Sequence, residues 1–156
     1  ARLISNLEKL YLSLKKLDLK IVDRNIYYRK SFDLGIAQIN SSKIKDKIFG
    51  IECNFEELNA IDFKKGCYVG QENTSRIKLR SKLRRRLLPI KTISGNINEN
   101  DEINFQDHKV GRILIDKPYP FAIVKLKNPN IQQFLNENLK CGSGIIKIFI
   151  PKWLKL

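Results

Sequence analysis

From residue 87 onward the chain is written in short alternating apolar segments, and this pattern limits the fold more than any other feature. Residues 87–93, 102–105, 110–115, 121–126 and 145–150 each carry β-branched or aromatic residues, with turn-forming residues between them. Such segments predict strands, because side chains along a strand point alternately to opposite faces. Asp107-His108 predicts the tip of a hairpin between Phe105 and Val110. Pro118 and Pro120 break the next connection, residues 131–139 predict a short helix, and Gly142-Ser143-Gly144 turns the chain into the last strand. Several short strands with one helix predict a small β-barrel or sandwich.

The first half reads differently. Leu3, Leu7, Leu10, Leu14 and Leu17 recur at helical spacing among lysines, which predicts an amphipathic core-packing helix over residues 4–17. Ile21-Val22 predicts a short strand, and residues 25–34 fit either helix or strand. Ser41 or Ser42 is placed to cap a short helix through Ile48, and Asn54 to cap another over residues 55–59, with Glu56 and Glu57 in its first turn. Residues 70–76 predict a further helix. The overall class is α+β, with residues 1–86 forming one region and residues 87–156 a small barrel.

Composition limits the functional classes. A hydrophobic fraction of 42% over 156 residues supports a real core. No apolar run approaches the ~18–20 residues of a membrane-spanning helix, so no membrane association is expected. Cys53, Cys67 and Cys141 form no Cys-x-x-Cys pair and no zinc spacing, and His108 is the only histidine. No metal site and no Ser-His-Asp system is therefore expected. An odd cysteine count without a recognisable secretory signal predicts a reducing compartment, read as the cytoplasm. Net charge is +14, with seven of the eleven residues from Arg76 to Arg86 basic. That run reads either as a solvated basic edge or as an anion surface, for example for RNA phosphates. It contains no interleaved aromatics for stacking bases.

The chemistry concentrates in Lys64-Lys65-Gly66-Cys67-Tyr68-Val69-Gly70-Gln71-Glu72. Glycines on both sides of Cys67 permit tight turning or close approach of a ligand. Neighbouring lysines, or a helix N-terminus, favour a thiolate. Cys67 is the candidate catalytic thiol, and the alternative is a small buried residue in a glycine-bounded turn. Cys53 and Cys141 lack such neighbours and read as structural.

The string Lys-Gly-Cys-Tyr-Val-Gly-Gln-Glu resembles the signature of the YgfZ-type proteins, folate-binding relatives of the glycine-cleavage T protein that support iron–sulfur enzymes. Residues 58–63 resemble the lead-in to that signature. Arg76, Arg80 and Arg84-Arg85-Arg86 resemble its arginine-rich exit. Leu34-Gly35-Ile36-Ala37-Gln38 resembles a Gly-Ile-Pro-Glu element, with Ala37 and Gln38 departing from it.

The resemblance implies the C-terminal half of a longer protein, consistent with a chain that contains no methionine. Residues 1–86 would be the end of a T-protein-like folate-binding region, and residues 87–156 the family's compact β-barrel. It further implies tetrahydrofolate as cofactor, and iron–sulfur enzymes or cluster-assembly proteins as partners. Lys65, Gly66, Gly70, Gln71, Glu72 and Arg76 are the candidate ligand contacts of the signature region. Tyr68 would either stack on a pterin or sit in a core. Tyr28 and Arg29 are the nearest matches to the family's aromatic and arginine before the Gly-Ile element. The competing readings are an aminomethyltransferase of the T-protein kind and a basic RNA-binding module.

Overall fold

A computed structural model describes residues 6–155 other than 18, 21, 68, 70 and 80–82, and no side chain for Gln71 or Asn73. Six antiparallel strands close into a barrel in the order β1-β4-β3-β2-β5-β6, with β6 returning to β1. They are β1 Arg85–Ser94, β2 Glu102–Phe105, β3 His108–Ile115, β4 Phe121–Lys125, β5 Leu139–Cys141 and β6 Gly144–Ile148. The fold is α+β, and closure leaves no open sheet edge on the barrel.

The interior is filled by Leu88, Ile90, Ile103, Ile113, Val124 and Ile146, all fully buried, with Cys141 among them. Phe134 and Leu135, after a short 3-10 helix (Ile131–Gln133), belong to the same core. Leu87, Leu114, Ile115, Phe121 and Ile123 form a second apolar cluster with Phe32, Ala37, Ile44, Ile48 and Cys53. Alternation along β1 accounts for the split, since Leu87 and Leu88 point to opposite faces. The barrel wall is therefore apolar on both sides where the first half of the chain packs.

The packing there is specific. Phe32 meets the rings of Tyr119, Phe121 and Phe149 at centroid distances of 5.4, 5.6 and 5.5 Å. Trp153 donates its indole N–H to the Leu34 carbonyl at 2.8 Å. Lys43 bonds Asp116 at 2.6 Å and Glu99 at 3.2 Å. The Lys43 ammonium in turn holds the Asp116 carboxyl below its ordinary pKa.

Several local expectations are corrected. The hairpin tip is Gln106-Asp107, and His108 already belongs to β3, opposite Phe105. Both tip residues take positive φ (45° and 62°), as a two-residue turn that follows the strand twist requires. Residues 131–139 form only the 3-10 helix before the chain enters β5, a strand of three residues too short to alternate visibly.

The N-terminal helix α1 (Leu7–Lys15) is capped by Asn6 and buries no residue, so it is not a core-packing helix among the described residues. Leu7, Tyr11 and Leu12 are exposed. Leu3 and Ile4 lie outside the described residues. No strand forms at Val22, and Ile21 lies outside the described residues. Residues 24–33 resolve as helix, α2 (Arg24–Asp33), capped by the Asp23 side chain on Asn25 N at 2.6 Å.

Ser41–Ile44 is a 3-10 helix that does not reach Ile48, and its cap residue Asn40 bonds the Lys117 carbonyl instead. Asn54 caps nothing. It sits at φ 62°, donates its amide to the Leu87 carbonyl at 3.0 Å and accepts from Arg86 at 2.6 Å. Residues 55–59 are turns rather than helix, because the side chain that would start the helix is committed to β1.

Candidate functional site

The signature segment is a loop leading into α3 (Gln71–Leu79). Its base is tied on both sides. The Lys78 ammonium of α3 lies 3.9 Å above the Phe63 ring centre and pairs with Glu56. Asp62 accepts from Lys64 N at 2.8 Å, turning the chain toward Gly66. Beyond that point Lys65, Gly66, Cys67 and Val69 are all exposed. A Cβ at Gly66 would meet nothing within 4 Å. Close internal packing therefore does not explain that glycine.

Glu72, in the first turn of α3, pairs with Arg76 one turn on. The carboxylate favours the helix N-terminus, and the pair follows the i,i+4 rule. Both side chains are largely exposed. Tyr68 and Gly70 lie outside the described residues, as does the side chain of Gln71. Arg80, part of the arginine-rich exit, also lies outside them.

The three thiols sit in different surroundings. Cys67 is exposed on the loop. Burial, with Glu52 nearby, pushes the Cys53 thiol up to about 11. Burial in the barrel, with Asp101 nearby, pushes Cys141 up to about 12. Thiolate chemistry is suppressed at the latter two.

A second feature was not apparent from sequence. A cleft of about 400 Å³ opens between the first half of the chain and the barrel wall. Gly35, Ile36, Ala37 and Gln38 form one side, with Ser41 and Ile44 beside them. Cys53, Phe55, Leu58, Ala60 and Leu87 form the rest. Mostly apolar walls with a few polar groups suit a flat, partly apolar ligand of small-molecule size. No cation lines it.

The Gly-Ile element found in sequence thus borders this cleft, and the signature loop does not line it among the described residues. Tyr28 is half-buried on α2 and packs edge-on to Tyr27 at 5.6 Å, while Arg29 is exposed. Tyr27 reaches the cleft lining, its hydroxyl donating to Gln38 Oε1 at 3.4 Å. The sequence signal for the cleft was Gly35, whose positive φ (70°) and contact with Pro151 bring residues 35–38 against the barrel.

The long basic run divides on folding. Arg85 is paired with Glu52, and Arg86 with Glu57 and Asn54. Desolvation, the largest single influence, raises the Glu57 pKa, but the bond and charge of Arg86, a backbone hydrogen bond and the Lys78 charge together hold the carboxyl below its ordinary value. Part of the run is therefore structural. Among the described residues no three His, Cys, Asp or Glu side chains cluster as metal ligands.

No family model matches the chain. Curated relatives do. A Neurospora crassa protein named as a mitochondrial iron–sulfur cluster assembly factor IBA57 homolog is 34% identical over 124 residues, covering 78% of this chain and 26% of its own length. The chain is similar to IBA57 proteins. An Aspergillus oryzae protein of the same name is 42% identical over 62 residues, covering 40% of this chain and 14% of its own length. The Dictyostelium discoideum protein is 40% identical over 68 residues, covering 44% and 17%. The Neurospora match spans about a quarter of that relative. The names of these relatives place them in mitochondria, which overturns the cytoplasmic expectation. Free cysteines report on redox conditions, and they do not distinguish one reducing compartment from another.

Proposed function

We propose that the chain belongs to a YgfZ-like, folate-binding factor that assists assembly or repair of iron–sulfur clusters in partner enzymes, and that it acts in the mitochondrion. The observation carrying this reading is an exposed Cys67 on a tethered loop, in a chain 34% identical over 124 residues to a protein named as a cluster assembly factor. A thiol there is accessible to a partner protein. One cysteine does not hold a cluster alone, since such clusters commonly take four thiolates. Cys67 would therefore act on the cluster as substrate, jointly with ligands from the partner.

The cleft beside β1 fits the ring portion of a folate by size and lining. Gln38 and Ser41 would hydrogen-bond the polar edge of the ring, and Ile36, Ile44 and Leu87 would cover its faces. Tetrahydrofolate, when bound, supplies reducing or one-carbon chemistry. Lys65, Gly66, Glu72 and Arg76, which do not line this cleft among the described residues, would contact the remainder of the ligand beyond it, and Tyr68, Gly70 and Gln71 belong to the same signature.

The test is a rescue experiment. Cells lacking their own protein of this kind receive the full-length parent as wild type or Cys67→Ala, and a cluster-dependent enzyme activity is read. Rescue by wild type alone is expected. Equal rescue by both would remove Cys67 from the chemistry, and failure of a well-expressed wild type would refute the cluster role.

A further inference from the structure

Where β1 begins and β4 ends, the structure gathers cations that are only partly neutralised among the described residues. In the antiparallel register Arg85 stands directly opposite Lys125. The Leu126 N–H donates to the Arg84 carbonyl at 2.9 Å, which holds the two segments side by side. Arg84, Arg85, Lys125, Lys127 and Asn128 together line an open cleft of about 490 Å³, and no carboxylate is among them. Elsewhere in the basic run, among the described residues, Arg76 is answered by Glu72, Lys78 by Glu56 and Arg86 by Glu57. Here Glu52 answers Arg85 alone. Among the described residues Arg84, Lys125 and Lys127 have no ion-pair partner. Like charges directly opposite one another disfavour the sheet, and a bound anion would relieve that repulsion.

We propose that this cleft binds a small polyanion, an oligocarboxylate or oligophosphate, through Arg84, Lys125 and Lys127, with the Asn128 amide as a further hydrogen-bond donor. The guanidinium fork suits a carboxylate or phosphate held by two parallel bonds, and the lysines act as flexible point charges. The volume is that of a small-ligand site. Among the described residues no aromatic side chain lines it, which argues against stacking of bases. Arg85, fixed by Glu52, forms a rigid part of the wall. The site is separate from Cys67 and does not depend on the cluster-assembly reading.

The experiment is calorimetric titration of the whole chain at low salt with tripolyphosphate and, separately, with tri-γ-glutamate. Saturable binding of at least one is expected, and the tighter of the two names the anionic group. The Arg84→Gln/Lys125→Gln/Lys127→Gln protein should bind about tenfold or more weakly, the scale of lost charged hydrogen bonds. Lys91 and Lys147, also paired across strands but further along β1, supply the control. Lys91→Gln/Lys147→Gln should change affinity by less than about twofold, since exposed charges act weakly at a distance. Lys127→Gln alone, on an exposed loop, should weaken binding in the same direction if the triple variant folds poorly. Equal weakening in the triple variant and the control overturns the proposal, as does absence of saturable binding for both anions. An RNA affinity that grows with length and falls equally in both variants also overturns it.

Discussion

Asn54 should be among the most sensitive polar positions in the chain. It is 2% exposed, and its amide joins two elements: it donates to the Leu87 carbonyl at 3.0 Å and accepts from the Arg86 guanidinium at 2.6 Å. Asn54→Gly removes both bonds while accepting the φ of 62°. A neutral hydrogen bond contributes about 0.5–1.5 kcal/mol and one to a charged group about 1.5–3, so the expected loss is about 2–4 kcal/mol. The Arg86 charge keeps Glu57, which prevents the larger penalty of an orphaned buried ion. Asn54→Ala adds left-handed strain of about 1–2 kcal/mol, partly offset because alanine is less flexible than glycine when unfolded. Urea unfolding followed by fluorescence of Trp153, the only tryptophan, reads the effect where the first half of the chain meets the barrel. In a thermal scan the same loss should lower Tm by roughly 5–15 °C for a chain of this size. A change below about 0.5 kcal/mol for Asn54→Gly would refute the idea that this network holds residues 52–57 to β1. An Asn54→Ala protein more stable than Asn54→Gly would refute the strain argument.

Thiol alkylation near neutral pH should label Cys67 first, Cys53 far more slowly and Cys141 last, because burial raises the latter two to about 11 and about 12; mass spectrometry of digested samples gives the order. Asp116 and Glu99 are held below their ordinary carboxylate values, Asp116 chiefly by its bond from Lys43 and Glu99 chiefly by its bond from Lys47. Their stabilisation is therefore present above the unfolded pKa and is lost as pH falls through the folded one. Stability should drop below about pH 4, and Asp116→Asn should flatten that slope in a pH series of unfolding curves. Gly35→Ala places a Cβ 2.2 Å from Pro151 Cγ at a φ of 70° and should destabilise by about 2–4 kcal/mol. Gly66→Ala meets nothing within 4 Å and should stay within about 0.5 kcal/mol of wild type. Loss of rescue by Gly66→Ala at unchanged stability would mark that glycine as a place where a ligand or partner comes close.

The barrel was largely legible in the sequence because its strands are long enough to alternate, and because one inward face must be apolar. Its exceptions are local. Three-residue β5 is too short to show a period, and the Gln106-Asp107 turn lacks the glycine that usually marks such turns. The first half was less legible because its order comes from tertiary contacts. Asn54 reads as a helix cap until β1 is beside it, and Phe32 reads as one apolar residue among several until three rings surround it. The signature loop stood out by composition, whereas the cleft did not, since residues 35–38, 53–60 and Leu87 meet only after folding. The cationic cleft was half visible: Arg84 and Arg85 belong to an obvious run, but Lys125 and Lys127 join them only through strand pairing.

The two-sided wall of the barrel has a practical consequence for anyone who would cut the chain. Leu87, Leu114, Ile115, Phe121 and Ile123 are dry only because residues 32–53 lie over them. A fragment starting at Arg85 would keep a full interior and a closed hydrogen-bond network, yet it would carry an oily stripe on its outside. Such stripes draw proteins into self-association. The barrel is a finished fold with an unfinished surface, and the preceding segment serves as its skin.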